Sequence, residues 1–289
     1  METATSRAVL VTGCSSGIGR AIAARLVGAG WPVYASARRP ETLGGLERLG
    51  CRTLALDVTD DASMRAAVDR VVEDHGAVGV LVNNAGFSQS GPVEAVPLDL
   101  ARRQFETNLF GPARLCQLVL PGMRSQGWGK IVNMSSMGGR LTFPGGGWYH
   151  ATKYALEALS DALRFEVAGF GVDVVLVEPG FVRTAFSEAA AASIDTRSPH
   201  TDDPYQAFTA GVRASTTNIY ERGFLARLAG DPDDVARVVA TAIAADRPKA
   251  RYPVTPSARA LRLLRLVLPD RAWDRVLARS FVQPGATGG

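Results

Sequence analysis

At 289 residues and 46% apolar composition, the chain can bury one large core. Three scattered cysteines, Cys14, Cys51 and Cys116, exclude a disulfide framework or a zinc site and point to a reducing compartment. The net charge of +4 is uneven: from Arg247 onward nine Lys/Arg face two Asp, giving +7 and leaving −3 elsewhere, so the basic excess belongs to the tail and no nucleic-acid partner is expected.

Met1 to Arg7 is polar, and the apolar run Ala8-Val9-Leu10-Val11 is too short for a signal peptide or a membrane span. No later run reaches the ~18 apolar residues a span requires, so a soluble, cytoplasmic protein without an integral membrane segment is expected. Ala8–Val11 reads instead as a first strand. Thr12-Gly13-Cys14-Ser15-Ser16-Gly17-Ile18-Gly19 follows and opens a helix over Ile18–Val27. Glycines there permit a tight turn and let backbone N–H groups approach a pyrophosphate at a helix N-terminus. The spacing G-x-x-x-G-x-G differs from the G-x-G-x-x-G of most dinucleotide folds. Val33–Ser36 is the second strand, and it matters for cofactor choice. A site selective for NAD(H) places an acid about 20 residues beyond the loop, on the ribose 2′-hydroxyl. Here that position is Ala37, followed by Arg38 and Arg39. A guanidinium gives a phosphate charge-assisted hydrogen bonds. The spacing therefore predicts NADP(H), mainly through Arg38 with Ser15 across the loop, and NAD(H) as the alternative.

The alternation continues. Arg52–Leu56, Val78–Val82, Lys130–Met134, Val172–Val177 and Arg251–Val254 are apolar and β-branched. The segments Ala62–Glu73, Leu100–Met123, Tyr149–Val167 and Pro232–Ala245 carry helical period between them. Strands apolar on both faces belong in a sheet covered on both sides. The pattern predicts an α/β, doubly wound, Rossmann-type, mostly parallel sheet of about seven strands, in a single domain spanning residues 1–289. Between Phe186 and Gly230 the rhythm breaks, with a polar, turn-rich Ser193–Pro204, and a substrate lid over about 186–230 is expected. A basic helical extension over about 256–281 ends the chain. Arg259, Arg262 and Arg265 share a narrow face there with leucines around the rest, so the leucines should pack on the body or on a second subunit. Peripheral contact with an anionic membrane is the alternative.

Within Trp148-Tyr149-His150-Ala151-Thr152-Lys153-Tyr154, one tyrosine is suited to act as an acid. Hydride delivery to a carbonyl makes an alkoxide that needs a proton in the same transition state, and free tyrosine, with a pKa of about 10, is a weak donor at neutral pH. A nearby cation lowers that pKa. Residues i and i+4 share a helix face, so Lys153 stands over Tyr149, whereas Tyr154 has Ala158 at the corresponding place. Tyr149 is the acid, and His150, pointing off this face, is read as structural.

From Ala8 to about Thr184 the chain resembles the short-chain dehydrogenases/reductases of compact, single-domain form. The motifs are the glycine loop, Asp57-Val58 after the third strand, Asn83-Asn84-Ala85-Gly86 after the fourth, Tyr149-x-x-x-Lys153, and Glu178-Pro179-Gly180-Phe181-Val182-Arg183-Thr184. The resemblance implies that Gly13, Ser15, Ser16, Gly17, Ile18, Gly19, Asp57, Val58, Asn84, Ala85 and Gly86 hold the pyrophosphate and adenine side of the cofactor. Pro179, Gly180, Val182 and Thr184 would then hold the nicotinamide carboxamide, and Lys153 the nicotinamide ribose beside Tyr149. It also implies that Ser136, thirteen residues before Tyr149, hydrogen-bonds the reacting oxygen, with Ser135 as rival. Asn108 would anchor a water on a proton path to Lys153. A homo-dimer or homo-tetramer formed through the long helices is implied in the same way.

The pattern looks most similar to the hydroxysteroid and retinol dehydrogenase branch, Val33–Arg38 included. Walls from Met137–Trp148 and lid aromatics Phe181, Phe186, Tyr205, Phe208 and Tyr220 suit a hydrophobic carbonyl or alcohol. The expected activity is carbonyl reduction with NADP(H). The alternatives are an NAD-dependent alcohol or steroid dehydrogenase running oxidatively and a catalytically silent cofactor-sensing regulator, against which the intact set Asn108, Ser136, Tyr149 and Lys153 argues. A nucleotide-sugar epimerase would need a larger C-terminal domain than this chain has room for.

Overall fold

The computed structural model describes residues 5–194, 203–221 and 228–285. Seven strands form one sheet: β1 (Val9–Val11), β2 (Val33–Ala37), β3 (Arg52–Ala55), β4 (Val80–Asn83), β5 (Gly129–Met134), β6 (Val172–Glu178) and β7 (Arg251–Pro253). Their spatial order is β3-β2-β1-β4-β5-β6-β7, and every neighbouring pair is parallel. The order reverses between β1 and β4. At such a switch point the two crossovers leave in opposite directions and open a crevice at the carboxyl ends of the strands.

The strands are apolar on both faces because both faces are covered. Val9, Val11, Val80, Val82 and Val132 pack beneath Ile22, Ala23 and Leu26 of α1 (Gly17–Gly28) and Val235, Val239 and Ile243 of the helix Pro232–Ala244. Leu10, Tyr34, Leu81 and Ile131 face the other way, beneath α3 (Asp61–His75) and α5 (Gly111–Ser125), which supply Met64, Val68, Leu115 and Val119. A short helix, α2 (Gly44–Glu47), links β2 to β3. α6 (Gly147–Val167) follows β5, and its long apolar stripe carries Leu156 and Val167 into the core.

The single helix expected over Leu100–Met123 is interrupted. It consists of α4 (Leu98–Phe105), a π turn over Glu106–Phe110, and α5. In the π turn the Gly111 N–H donates to the Glu106 carbonyl, five residues back. Pro112, which lacks an N–H, removes the bond that the Asn108 carbonyl would accept in a regular helix. Gly111 approaches the Val58 carbonyl so closely that a Cβ there would collide with it, which ties the turn to the end of β3.

Where it is described, the 186–230 stretch is mostly helical, with α7 (Ala185–Ala192) and α8 (Gln206–Glu221), and Val182 pairs with Gly230 across it. Residues 195–202, most of the turn-rich part, and the side chain of Tyr220 fall outside the described residues. After Pro232–Ala244 (α9) and β7 come α10 (Pro256–Val267) and α11 (Asp270–Ala278). Leu261 packs with Met137, Phe181 and Ala258, while Leu263, Leu266 and Val267 are exposed. Arg262, one of the three arginines on the narrow basic face, reaches inward to Glu178 at 2.7 Å because that carboxylate, 1% exposed, needs a cation. Among the described residues no helix is long and apolar enough to cross a membrane.

Candidate active site

The glycine loop is held in place by two side chains. Thr12 Oγ1 accepts the N–H groups of Asn84 and Ala85, each at 2.9 Å. Asn84 Nδ2 returns bonds to the carbonyls of Thr12 at 2.9 Å and Gly13 at 3.1 Å. Gly13 has φ +71°, and a Cβ there would stand 2.9 Å from the Ala85 Cα. A Cβ on Gly19 would strike Asn84 and Gly13. These close approaches leave the first turn of α1 open, and Ser16 at its N-cap makes no side-chain bond to the helix. Uncapped N–H groups at a helix N-terminus favour a phosphate, so the residues present fit a dinucleotide.

Ser15, Ser16, Gly17, Ile18 and Gly19 border the same cavity, of about 860 Å³, as Gly13 and Arg38. Its far wall carries Asp57, Val58, Asn84, Ala85 and Gly86. The exposed Arg38 follows β2 with no acid beside it on the strand. Burial of Asp57 raises its carboxyl pKa, but hydrogen bonds from Thr59 and the charges of Arg38 and Arg103 outweigh that and hold it below the usual value. Arg103, on α4, also borders the cavity and was not singled out in the sequence, because nothing local brings α4 to the end of β3.

The cavity continues to the ends of β5 and β6, where Ser136, Tyr149, Lys153, Pro179, Gly180, Val182 and Thr184 border it. Tyr149 and Lys153 sit one turn apart on α6, with the Lys153 ammonium 5.8 Å from the Tyr149 ring centre. The ammonium donates to the Met134 carbonyl at 2.8 Å. Ser136 stands beside Tyr149 and favours its ionised form. Its Oγ accepts the Gly138 N–H at 3.0 Å, which orients the hydroxyl.

The charge balance differs from the expectation that Lys153 would depress Tyr149. Tyr149 is half-buried and borders the cavity. Burial pushes the Tyr149 pKa up to about 12, partly offset by the neighbouring Ser136 hydroxyl. Burial likewise pulls Lys153 down to about 8, against the opposing charge of Glu157. Desolvation penalises the charged form of each group more than its neighbours, Ser136 for Tyr149 and Glu157 for Lys153, favour it. Tyr149 is therefore held as a neutral phenol, the form that can give a proton.

Asn108, 1% exposed, does not border the cavity. Its amide is committed: Oδ1 accepts the Phe87 N–H at 3.1 Å, and Nδ2 donates to the Phe87 carbonyl at 2.9 Å and to Thr152 Oγ1 at 3.2 Å. The side chain thus ties the loop after β4 to α6.

The apolar end of the cavity is built by Phe143, Phe181, Phe186, Ala190, Val212 and Phe281. Phe186 lies 5.7 Å, ring to ring, from Tyr149. Tyr205 and Phe208 stand behind this wall, in a cluster with Ile194, Val212 and Phe281. Ser193 closes the end of α7 onto the loop after β4, accepting Gln89 Nε2 at its carbonyl and the Ser90 N–H at its hydroxyl (2.8 and 2.9 Å). Phe281 was not foreseen, since only the folding back of α10 and α11 carries it there. His150 was set aside in the sequence as structural, yet it borders the cavity, and burial pulls its pKa down to about 4.

Fold and site together define a nicotinamide-dependent oxidoreductase of the Rossmann type. Residues 7–195 match the family model described as short chain dehydrogenase, and the chain belongs to that family, whose members act on CH–OH and carbonyl groups. It is 37% identical over 278 residues to 17-beta-hydroxysteroid dehydrogenase type 1 of Homo sapiens, covering 91% of this chain and 81% of the relative. It is 35% identical over 288 residues to an NADPH-dependent 3-dehydrocapnine reductase of Ornithobacterium rhinotracheale, covering 95% and 97%. A short-chain dehydrogenase from Streptomyces avermitilis superposes with TM-score 0.75 at 34% identity, covering 96% of this chain and 95% of that one.

Proposed function

We propose that this enzyme reduces a hydrophobic ketone or aldehyde to its alcohol with NADPH, Tyr149 giving the proton. The observation that carries this reading is the gathering of Ser136, Tyr149 and Lys153 on one cavity that runs from Arg38 to an apolar wall. The bound dinucleotide supplies the hydride. The chain's own residues do the rest. Ser136 and Tyr149 hydrogen-bond the substrate oxygen, Tyr149 transfers its proton there as negative charge develops, and Lys153 favours the phenolate left behind. Phe181, Phe186 and Phe143 exclude water and receive the apolar body of the substrate. Asn108 supports proton return to Lys153 through its backbone carbonyl.

NADPH over NADH is supported by Arg38 in the cavity after a strand that ends in Ala37, and by the NADPH-dependent relative. A substrate lid formed by α7 and α8 and a homo-dimer or homo-tetramer in the cytoplasm belong to the same reading. Phe110 and Phe165, on the π turn and α6, are exposed apolar groups that a subunit contact would cover. The test is the oxidation of NADPH, and separately of NADH, by the purified protein with a panel of apolar ketones and aldehydes. Turnover with NADPH is expected, and NADH used equally well would overturn the cofactor assignment.

A further inference from the structure

His150 touches both the catalytic turn and the substrate wall. Its Nδ1 lies 3.0 Å from the Gly138 carbonyl, and its Nε2 lies 3.1 Å from the Phe143 backbone nitrogen. A carbonyl can only accept and a backbone N–H can only donate. The proton is therefore on Nδ1 and the lone pair on Nε2, which fixes the ring as a single neutral tautomer. The chain makes room for this ring and no larger group. A Cβ on Gly138 would stand 2.5 Å from Nδ1, and one on Gly146 would stand 2.7 Å from Nε2.

Each end of the ring leads to a different part of the site. Gly138, held at its carbonyl by Nδ1, gives its own N–H to Ser136 Oγ. Phe143, held at its N–H by Nε2, places its ring 6.3 Å from Phe181 and 6.5 Å from Trp273 of α11. The imidazole also lies against Tyr149, ring centres 5.6 Å apart.

We propose that His150 is a positioning residue with two separable tasks: Nδ1–H fixes the turn that aims Ser136, and Nε2 fixes the Phe143 wall that receives the apolar substrate. This rests on the assignment of Ser136 and Tyr149 to carbonyl reduction. His150→Asn keeps an amide donor near the Nδ1 position, and His150→Gln keeps an acceptor near Nε2. His150→Asn therefore holds kcat and raises KM for an apolar substrate about tenfold, the scale of one buried hydrogen bond left unmade. His150→Gln does the reverse, lowering kcat about tenfold with KM held. NADPH affinity stays unchanged in both variants.

A merely structural histidine would move melting temperature and both kinetic constants together in both variants, and that outcome overturns the proposal. A readout independent of activity uses imidazole 15N NMR of the wild-type protein, which has three histidines, with His150→Asn to assign the signal. A neutral ring protonated on Nδ1 at neutral pH is expected. A proton on Nε2, or a charged ring, refutes the geometry even if neither variant folds. Wild-type protein that reduces no carbonyl but shows the Nδ1–H tautomer would instead sink the proposed function and leave the strut standing.

Discussion

Replacing Arg38 by alanine isolates the group expected to choose between the two cofactors. Arg38 is exposed, so its bond to a 2′-phosphate is partly screened, and a charge-assisted hydrogen bond contributes about 1.5–3 kcal/mol. It also faces Asp57, whose ionised carboxylate it helps to hold. Without the guanidinium, that negative charge has less to oppose it and repels a phosphate across the same cavity. Both effects act on the phosphorylated cofactor, while NADH, which has no 2′-phosphate, loses neither. Arg38→Ala is expected to raise the NADPH KM ~10–150-fold, following the lower and upper ends of that energy range, and to leave the NADH KM within about threefold. Initial rates with each cofactor at a fixed saturating carbonyl measure this. An equal rise for both cofactors would refute the reasoning, because it would place Arg38 in a shared contact or in the fold.

His150 ties stability to pH. Its pKa is 6.5 in an unfolded chain and about 4 in the folded one, a difference corresponding to ~3 kcal/mol. The folded state resists the proton, so this contribution is complete above about pH 6.5 and is lost as pH falls towards about 4. Urea unfolding should show a steeper decline over that window for wild type than for His150→Asn, and parallel curves would contradict it. Gly13→Ala should weaken NADPH binding at least tenfold, since the left-handed φ costs ~1–2 kcal/mol before the clash with Ala85 is counted. Isothermal titration would detect the loss, and unchanged affinity would mean the loop yields. Arg262→Ala should lower stability by about 1–2 kcal/mol, less than the loss of a fully buried pair, because Arg251 still lies 3.4 Å from Glu178. Chemical denaturation gives the value, and no change would mean Arg251 alone neutralises Glu178.

The sheet was legible because its strands are apolar on both faces, a pattern that only a covered parallel sheet needs. The cofactor end was legible too, since Gly13, Gly17, Gly19, Asn84 and Arg38 lie next to strand ends and strand order brings strand ends together. Four features were not. The π turn at Asn108 depends on the missing N–H of Pro112 and on the fit of Gly111 against Val58, and helical periodicity does not register a one-residue widening. His150 was set aside because its partners, Gly138 and Phe143, lie in a glycine-rich stretch that carries no periodicity. Phe281 reaches the cavity only through the turns between β7, α10 and α11, a long-range contact without a local signature. The raised pKa of Tyr149 also escaped the sequence, since helix spacing gives the distance to Lys153 but not the desolvation of either group.

The central claim is that Tyr149 gives the proton, and Tyr149→Phe tests it most directly, because the substitution removes one hydroxyl and leaves the ring against His150 and Phe186. Single-turnover oxidation of bound NADPH by an apolar ketone, measured alongside NADPH affinity, should show a rate reduced ~10²–10⁴-fold with affinity unchanged. A variant that kept more than about half the wild-type rate would contradict the account.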